Sequence, residues 1–255
     1  MTVPPRGSDP HVPAAPRAGG KTVPSRGDDP PIPPAPPAGG KSARDLEGIP
    51  FAASLTPHSG GLQPDADYDG VHFDRLSLDE PRAASSRFIE CAFTGVTFQG
   101  GRLAKARFRD VWLRDVRLVA TGLGETGWTD VTVTESVWAG AEVFGAELRR
   151  VTLRGCKLDS VNFRSTSLVD VVFDGCELLD ADFKDAALTR TSFPGTRLTR
   201  TDLTSARMDA TDLRDAELGI IIGPDSLRGA TISAAQLVHL APVLAQTMGI
   251  TVSDD

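Results

Sequence analysis

Two segments near the N-terminus have the residue types and spacing of a loop that binds nucleotide phosphates. They are Ala15–Thr22 and Ala35–Ser42, and each places Gly-Lys and then Thr or Ser after an alanine and four further residues. A working phosphate loop follows a strand and opens a helix, whose N-terminal N–H groups hold the phosphates. Proline-rich sequence precedes both copies, and both lack the first glycine of the stricter motif. We therefore expect no nucleotide and no other cofactor.

Cysteine and histidine supply the other side chains suited to metal binding or nucleophilic catalysis. The chain has three cysteines and four histidines, scattered at Cys91, Cys156, Cys176, His11, His58, His72 and His239. Metal sites bring four such ligands together at characteristic spacings, and none of those spacings occurs here. Gly-x-Ser-x-Gly, His-Glu-x-x-His and Cys-x-x-Cys are also absent from the sequence. The chain is thus predicted not to be an enzyme and to act by surface recognition.

Composition narrows the class of protein further. The net charge is -7 over 255 residues, which argues against nucleic acid as a direct ligand. No apolar run is long enough to cross a membrane, and Met1 is not followed by the apolar core of a secretory signal. The sequence therefore predicts a soluble cytoplasmic protein.

Apolar residues recur at every fifth position from Phe73 to Leu218. Helices repeat at 3.6 residues and strands at 2, so neither alone explains this period. Two residues before each large residue lies a small one, as in the unit Ala181–Asp185, where Ala181 precedes Phe183. A separation of two places both side chains on one side of an extended backbone. The next two residues then turn a corner, and glycine, which tolerates positive φ, often occurs there.

This pattern resembles the pentapeptide repeat family, and the resemblance covers residues 66–222. It implies an all-β, right-handed quadrilateral parallel β-helix in which four pentapeptides form a coil of twenty residues. Stacked coils would lie about 4.8 Å apart, and large apolar side chains would fill the interior. Cys91, Cys156 and Cys176 take the small inward position. We expect packed free thiols there, because parallel side chains on adjacent coils suit a disulfide poorly.

Four regions are predicted along the chain. Residues 1–41 form a duplicated tail rich in proline and glycine, in which Thr2–Lys21 and Thr22–Lys41 match at 14 of 20 positions. Such a segment buries too little apolar surface to offset its ordering entropy, so we expect disorder. Residues 42–65 lead into the solenoid and cap it, residues 66–222 form the β-helix, and residues 223–255 form a last rung and a helical cap.

Irregularities are predicted near both ends of the solenoid. Pro81 and Ala83 indicate a bulge in an early coil. Ser233 and Gln236 form a capping box at the start of a C-terminal helix. Pro242 lies inside that helical pattern and predicts a kink or two short helices. The helical stripe caps the open end of the solenoid, forms a homodimer contact, which the family resemblance permits, or does both; its residues are Leu237, Leu240, Leu244 and Met248.

The outer surface follows from the stacking of residues twenty apart. A basic patch is predicted on the early coils, from Arg82, Arg87, Arg102, Lys105, Arg107, Arg109, Arg114 and Arg117. An acidic side is predicted on the later coils and is our candidate partner-binding surface: Glu125, Asp130, Glu142, Glu147, Asp170, Asp182, Asp185 and Asp202. The alternative is a solvated face of mixed charge. Large apolar side chains that should point outward are Trp112 and Phe144, which we treat as a candidate contact site.

Three functions remain open. The first is a protein–protein interaction module whose partner is unidentified. The second follows from similarity to the quinolone-resistance members of the family, and implies a protein that binds DNA gyrase by imitating duplex DNA. The third is a structural component of a larger assembly, with the tail as a tether.

Deletion of residues 1–41 should leave thermal stability unchanged, because this segment is predicted to make no packed contacts. The melting temperatures of the full chain and the shortened chain provide the measurement. A large decrease would show that the tail packs on the solenoid.

Overall fold

The computed structural model describes Met1, residues 46–223 and residues 225–253. The predicted tail and both phosphate-loop segments lie outside the described residues, apart from Met1. The residues from Leu46 onward belong to one unit, Pro33–Asp255.

The chain forms short parallel strands that follow one another around a solenoid. The strands are β1 Thr56–His58, β2 Asp67–Asp69, β3 Val71–Asp74, β4 Ser77–Asp79, β5 Arg87–Ile89, β6 Ala92–Thr94, β7 Thr97–Gln99, β8 Arg107–Arg109, β9 Trp112–Arg114, β10 Arg117–Val119, β11 Gly127–Thr134, β12 Val137–Ala139, β13 Glu147–Arg154, β14 Lys157–Asp159, β15 Ser167–Asp174, β16 Glu177–Leu179, β17 Ala187–Thr189, β18 Arg197–Asp202, β19 Arg207–Asp209, β20 Thr211–Asp212, β21 Glu217–Ile221 and β22 Ala230–Thr231. Two 3-10 helices, Leu46–Gly48 and Ala52–Ser54, precede them, and α1 (Ala234–Thr247) follows.

The register between neighbouring strands is twenty residues through the body of the solenoid. Leu148 pairs with Leu168, for example, and Leu158 pairs with Leu178. We name the four faces by one inward residue each: face 1 contains Leu148, face 2 Leu153, face 3 Leu158 and face 4 Phe163. Faces 1 and 2 share a 12-stranded sheet, and face 3 is an 8-stranded sheet. The predicted fold, a parallel β-solenoid of about eight turns, is confirmed.

Stacked large side chains fill the interior. Every predicted centre from Phe73 to Leu213 is buried, and Leu218 is partly buried. Aromatic rings on successive coils lie nearly parallel, with centroids 4.7 Å apart for Phe163 and Phe183. The three cysteines are buried free thiols, as expected. This column of apolar contacts is continuous along the solenoid and leaves the charged side chains on its outside, while hydroxyl side chains such as Thr121 and Thr201 are buried beside it.

Each corner contains a residue in the left-handed region. From Asp65 to Ala210, every residue whose number ends in 0 or 5 has a φ between 44° and 66°. The sequence placed glycine at some of these corners, but most are occupied by Asp, Glu, Ser, Arg or Ala. Left-handed φ costs an L-residue about 1–2 kcal/mol, and Asp tolerates it better than most. Coil-to-coil hydrogen bonds and core packing therefore hold the non-glycine corners in place.

The N-terminal lead-in covers part of face 2. Ile49 packs with Ala92 and Trp112 in a small cluster that Leu46, Phe51, Ala52 and Leu55 complete. Trp112 points out of the solenoid as predicted, yet it is only 3% exposed because this segment lies over it. The prediction that Trp112 is an exposed contact residue is therefore wrong.

The first coil is shorter than the others. Thr56 pairs with Val71, an offset of fifteen residues, and β4 forms the N-terminal edge of the face 3 sheet. An open groove of about 610 Å³ lies between residues 59–64 and residues 76–82. The bulge predicted at Pro81 is absent, since the register of twenty holds on both sides of it, from Leu78 with Phe98 to Arg82 with Arg102. Ala83 leaves no irregularity because it is fully buried at its regular position.

The C-terminus closes the solenoid. The predicted capping box is present: Ser233 N–H donates to Gln236 Oε1 and Gln236 N–H donates to Ser233 Oγ. Gln236 Nε2 also donates to the backbone carbonyls of Leu213 and Ala216, which lie on the last coil. The helix continues through Pro242, so the alternative of two short helices is wrong. Pro242 has no N–H to donate to the carbonyl of Val238, four residues earlier. The Val238 side chain is 73% exposed, so this carbonyl lies on the exposed side of the helix.

Phe183→Arg should cost more than about 4 kcal/mol, because an unpaired charge would replace a ring in the stacked interior. Urea unfolding measures this loss. Lys184→Ala, on the adjacent outward-facing residue, is the control and should change stability by less than about 0.5 kcal/mol. A normal melting temperature for Phe183→Arg would contradict the inward assignment.

Gly140 and Ala120 occupy the same corner on adjacent coils, with φ of 61° and 49°. Gly140→Ala should destabilise the fold by about 1 kcal/mol, because an added Cβ is strained at positive φ. Among the described residues, apart from its chain neighbours, the nearest atom would be the Ala120 Cα at 4.0 Å, so the effect is conformational. Ala120→Gly should be neutral or stabilising. Denaturant unfolding of both variants tests this, and equal destabilisation of the two would contradict it.

Candidate interaction surface

Outward side chains stand in columns that run along the solenoid, and ion pairs between coils connect them. Arg150 donates to Asp130 at 2.6 Å, Arg190 to Asp170 at 2.6 Å and Arg200 to Asp180 at 2.6 Å. The same spacing of twenty produces further pairs, Arg154–Asp174 and Arg197–Glu217. Hydrogen bonds from the guanidinium groups lower the pKa of Asp170 and Asp180. From Asp130 onward, the register of twenty residues therefore pairs many basic side chains with acidic ones.

The predicted acidic side lies on faces 4 and 1, and its members differ in how far they are neutralised. Glu125, Asp130, Asp170 and Asp182 form ion pairs with a basic residue of an adjacent coil.

The other acidic residues make polar contacts or stay exposed. Glu142 accepts a hydrogen bond from Asn162 Nδ2 at 2.6 Å, and Asp202 accepts one from the Thr204 N–H at 2.8 Å. Glu147 and Asp185 are exposed. Face 4 brings Glu142, Asp182 and Asp202 into one column, because each lies twenty or forty residues from the next.

The basic residues of the early coils lie on the same two faces. We call Arg82, Arg87, Arg102, Lys105, Arg107 and Arg109 the basic band, and all six are exposed. Arg82 stacks directly on Arg102, and Arg87 stacks on Arg107, as predicted. The other two predicted members lie elsewhere: Arg114 pairs with Glu135 at the end of face 2, and Arg117 is on face 3.

An exposed aromatic ring lies next to the basic band. Phe144 is 45% exposed, as predicted, and its ring lies against Gly124 on the preceding coil. A Cβ added at Gly124 would lie 2.6 Å from Phe144 Cζ, so any other residue there would displace the ring from this position. The sequence contained this signal, a glycine at an outward position within a face, twenty residues before a phenylalanine.

The described residues offer little reactive chemistry. No group of three or more His, Cys, Asp or Glu side chains suited to a metal lies among them. Burial raises the pKa of the Cys91 thiol to about 11, which keeps it protonated at neutral pH. None of the helices within the described residues is long and apolar enough to span a membrane.

The residues predicted to cap or dimerise divide into two pairs. Leu240 is buried at 3% exposure, and Leu244 packs against the end of the core. Leu237 and Met248 are 51% and 71% exposed. The helix therefore packs one side against the end of the core and leaves apolar side chains exposed on another.

Comparison with known proteins agrees with this architecture. Residues 146–221 match the family model described as "Pentapeptide repeat region". No curated protein sequence matches the chain significantly.

Among solved structures, the chain is similar to HetL, a pentapeptide repeat protein involved in heterocyst differentiation regulation from the cyanobacterium Nostoc sp. strain PCC 7120. The identity is 19%, the match covers 67% of this chain and 89% of HetL, and the TM-score is 0.31. For full-length QnrB1, a plasmid-mediated fluoroquinolone resistance protein, the identity is 14%, the coverage 72% and 100%, and the TM-score 0.28. For Rfr23 from Cyanothece 51142 the values are 12%, 66% and 91%, and 0.15. These similarities are too low to assign a partner or an activity.

Asp110→Asn should stabilise the fold at pH 7. Burial and the neighbouring Asp130 carboxylate raise the pKa of Asp110 above its ordinary 3.8, so the folded state disfavours the ionised form. This penalty is present above the raised pKa and disappears below 3.8, where the carboxyl is protonated in both states. The gain from the amide should thus vanish on acidification. Urea unfolding at neutral and acidic pH measures it, and a gain that does not depend on pH would contradict this cause.

Proposed function

The chain is a pentapeptide repeat protein, and we propose that it acts as a protein-binding module that recognises its partner through the outer surface of the solenoid. The observation that carries this proposal is the filled interior, in which stacked rings such as Phe173 and Phe193 lie 4.9 Å apart. Charged side chains are consequently displayed outside, in columns with a fixed spacing. A surface of this kind suits recognition better than catalysis, which requires reacting groups gathered in a concave site.

A protein partner fits the surface better than other classes of partner. Faces 4 and 1 combine a basic band, a row of carboxylates and the exposed ring of Phe144. Protein interfaces commonly join an aromatic anchor to a polar rim of both charges.

Affinity capture with a matched pair of variants tests this proposal. Phe144→Ala should abolish or weaken capture of the partner. Leu179→Ala removes another outward apolar residue, on face 3, and should leave capture intact. A result in which neither variant alters the captured proteins, or in which no protein is captured stoichiometrically, would contradict the proposal.

DNA gyrase is a second candidate partner, supported by the column of carboxylates on face 4. Glu142, Asp182 and Asp202 follow the long axis of the solenoid, as a protein imitating the phosphates of duplex DNA requires. The intramolecular ion pairs of Asp130, Asp170 and Asp182 reduce the charge that is free for such a role.

A supercoiling assay titrated with this protein, with and without a fluoroquinolone, distinguishes the gyrase function. Inhibition of gyrase or protection from the drug should weaken when Glu142, Asp182 and Asp202 are changed to Lys. Asp159→Lys, on face 3, serves as the control and should have no effect. Absence of any effect at micromolar protein would exclude gyrase.

We further propose that the uncovered side of α1 supports a homodimer. Leu237, Val238 and Met248 are exposed there, and Ile221 is exposed at the end of β21. Since Leu240 and Leu244 already cap the core, the same helix serves both roles. Light scattering after size exclusion should show a dimer that becomes monomeric in Leu237→Glu/Met248→Glu. A wild-type monomer at high concentration would exclude this contact.

A further inference from the structure

The basic band lacks the acids that pair with arginines on the later coils. On the later coils, a spacing of twenty places Arg150 over Asp130 and Arg200 over Asp180. In the basic band the same spacing places Arg102 over Arg82 and Arg107 over Arg87. Like charges on adjacent strands are destabilising, and the fold shows elsewhere that it accommodates acids at these positions. A contribution to folding stability therefore does not explain why basic residues occupy these positions.

Few acidic groups neutralise the band. Residues 82–89 and 102–109, which form faces 4 and 1 of two successive coils, contain six basic residues and no acidic residue. Arg87 pairs with Asp67, and Lys105 lies 3.7 Å from Glu125.

Among the residues that the structure describes, the remaining bases of the band form no ion pair. Within residues 46–223, Arg82, Arg102 and Arg109 form no ion pair, and Arg107 donates to the backbone carbonyl of Glu125 at 2.8 Å. Four guanidinium groups therefore keep their capacity to bind an external anion. The planar, bidentate guanidinium fits a carboxylate closely.

The neighbours of the band limit what can bind there. Acidic residues surround it on every side: Asp65, Asp67, Glu80, Glu90, Asp110, Glu125 and Asp130. The band itself spans two faces, each about 10 Å wide, with coils about 5 Å apart. A long polyanion such as a nucleic acid would extend over the surrounding carboxylates and be repelled. A short acidic segment would not.

Phe144 adds an apolar contact beside the band. Its ring lies on Gly124, and Gly124 lies directly over Ala104, which is between Arg102 and Lys105 in the band. The same surface thus presents guanidinium groups and an exposed aromatic ring within one coil spacing. An acidic peptide that also carries an apolar residue matches both features.

We propose that the basic band, with Phe144 at its edge, is the docking site for a short acidic segment of the partner protein. The proposal rests on the function proposed above and names the partner's chemistry and its site. The acidic side chains of the segment pair with Arg82, Arg102 and Arg109, and an apolar side chain packs on Phe144.

Fluorescence anisotropy with defined probes tests the site. The probe is a labelled peptide of about ten residues in which aspartate and leucine alternate, long enough to span both faces. Arg102→Ala/Arg107→Ala/Arg109→Ala should weaken binding by about tenfold or more, and binding should weaken as salt rises. Arg150→Ala/Arg190→Ala/Arg200→Ala is the matched control, since it removes three arginines that the structure pairs with acids, and it should change affinity less than about twofold.

Several outcomes would overturn the site. Equal loss of affinity in the two triple variants would show non-specific attraction to positive charge. A single-stranded thymidine oligonucleotide bound more tightly than the peptide would assign the band to nucleic acid. Circular dichroism and melting temperature establish that each variant is folded before binding is measured.

These experiments distinguish an error in the proposed docking site from an error in the proposed protein-binding function. A partner captured equally by the wild type and by the band variant, but lost in Phe144→Ala, would remove the band and leave the protein-binding function. A chain that binds the peptide through the band but captures no protein would instead remove the protein-binding function.

Discussion

The backbone corner at every fifth residue is the constraint on which the rest of this structure depends. A residue with φ between 44° and 66° closes each side of the coil from Asp65 to Ala210, whether or not that residue is glycine. Because four such corners return the chain to its starting face after twenty residues, the register between coils is fixed. The stacked core, the coil-to-coil hydrogen bonds and the outward columns all follow from this spacing. Local strain at the corners is offset by packing that the corners themselves make possible.

The fixed register also determines what the surface can do. Any two residues twenty apart become neighbours, so the sequence directly sets which charges face one another. On most of the solenoid this produces ion pairs such as Asp170–Arg190, which are exposed and contribute little stability individually. At some positions it stacks like charges instead, acids where Asp182 lies over Asp202 and bases in the basic band. Both kinds of stack lie on faces 4 and 1, where we propose the recognition surface.

Much of this architecture could be predicted from the sequence, because a five-residue period has few structural solutions. The inward positions of Phe163 and Cys176, the stacking of Arg82 on Arg102 and the capping box at Ser233 follow from local pattern and spacing alone. The cover over Trp112 could not be predicted, since the lead-in has no repeat to fix where it folds back. The acidic side was predicted from the positions of charged residues alone. Its ion pairs also depend on side-chain rotamers, since Arg164 pairs with Asp182, which is eighteen rather than twenty residues away.

The free energy of unfolding of Arg102→Glu, compared with the wild type at low ionic strength, tests the central claim most directly. If the band is retained for binding at the expense of stability, the substitution should stabilise the free protein by about 0.2–1 kcal/mol, because a like-charge stack on Arg82 becomes an ion pair. The gain should decline as salt screens the pair. Destabilisation by Arg102→Glu would contradict the account, because it would show that the arginine stack supports the fold itself.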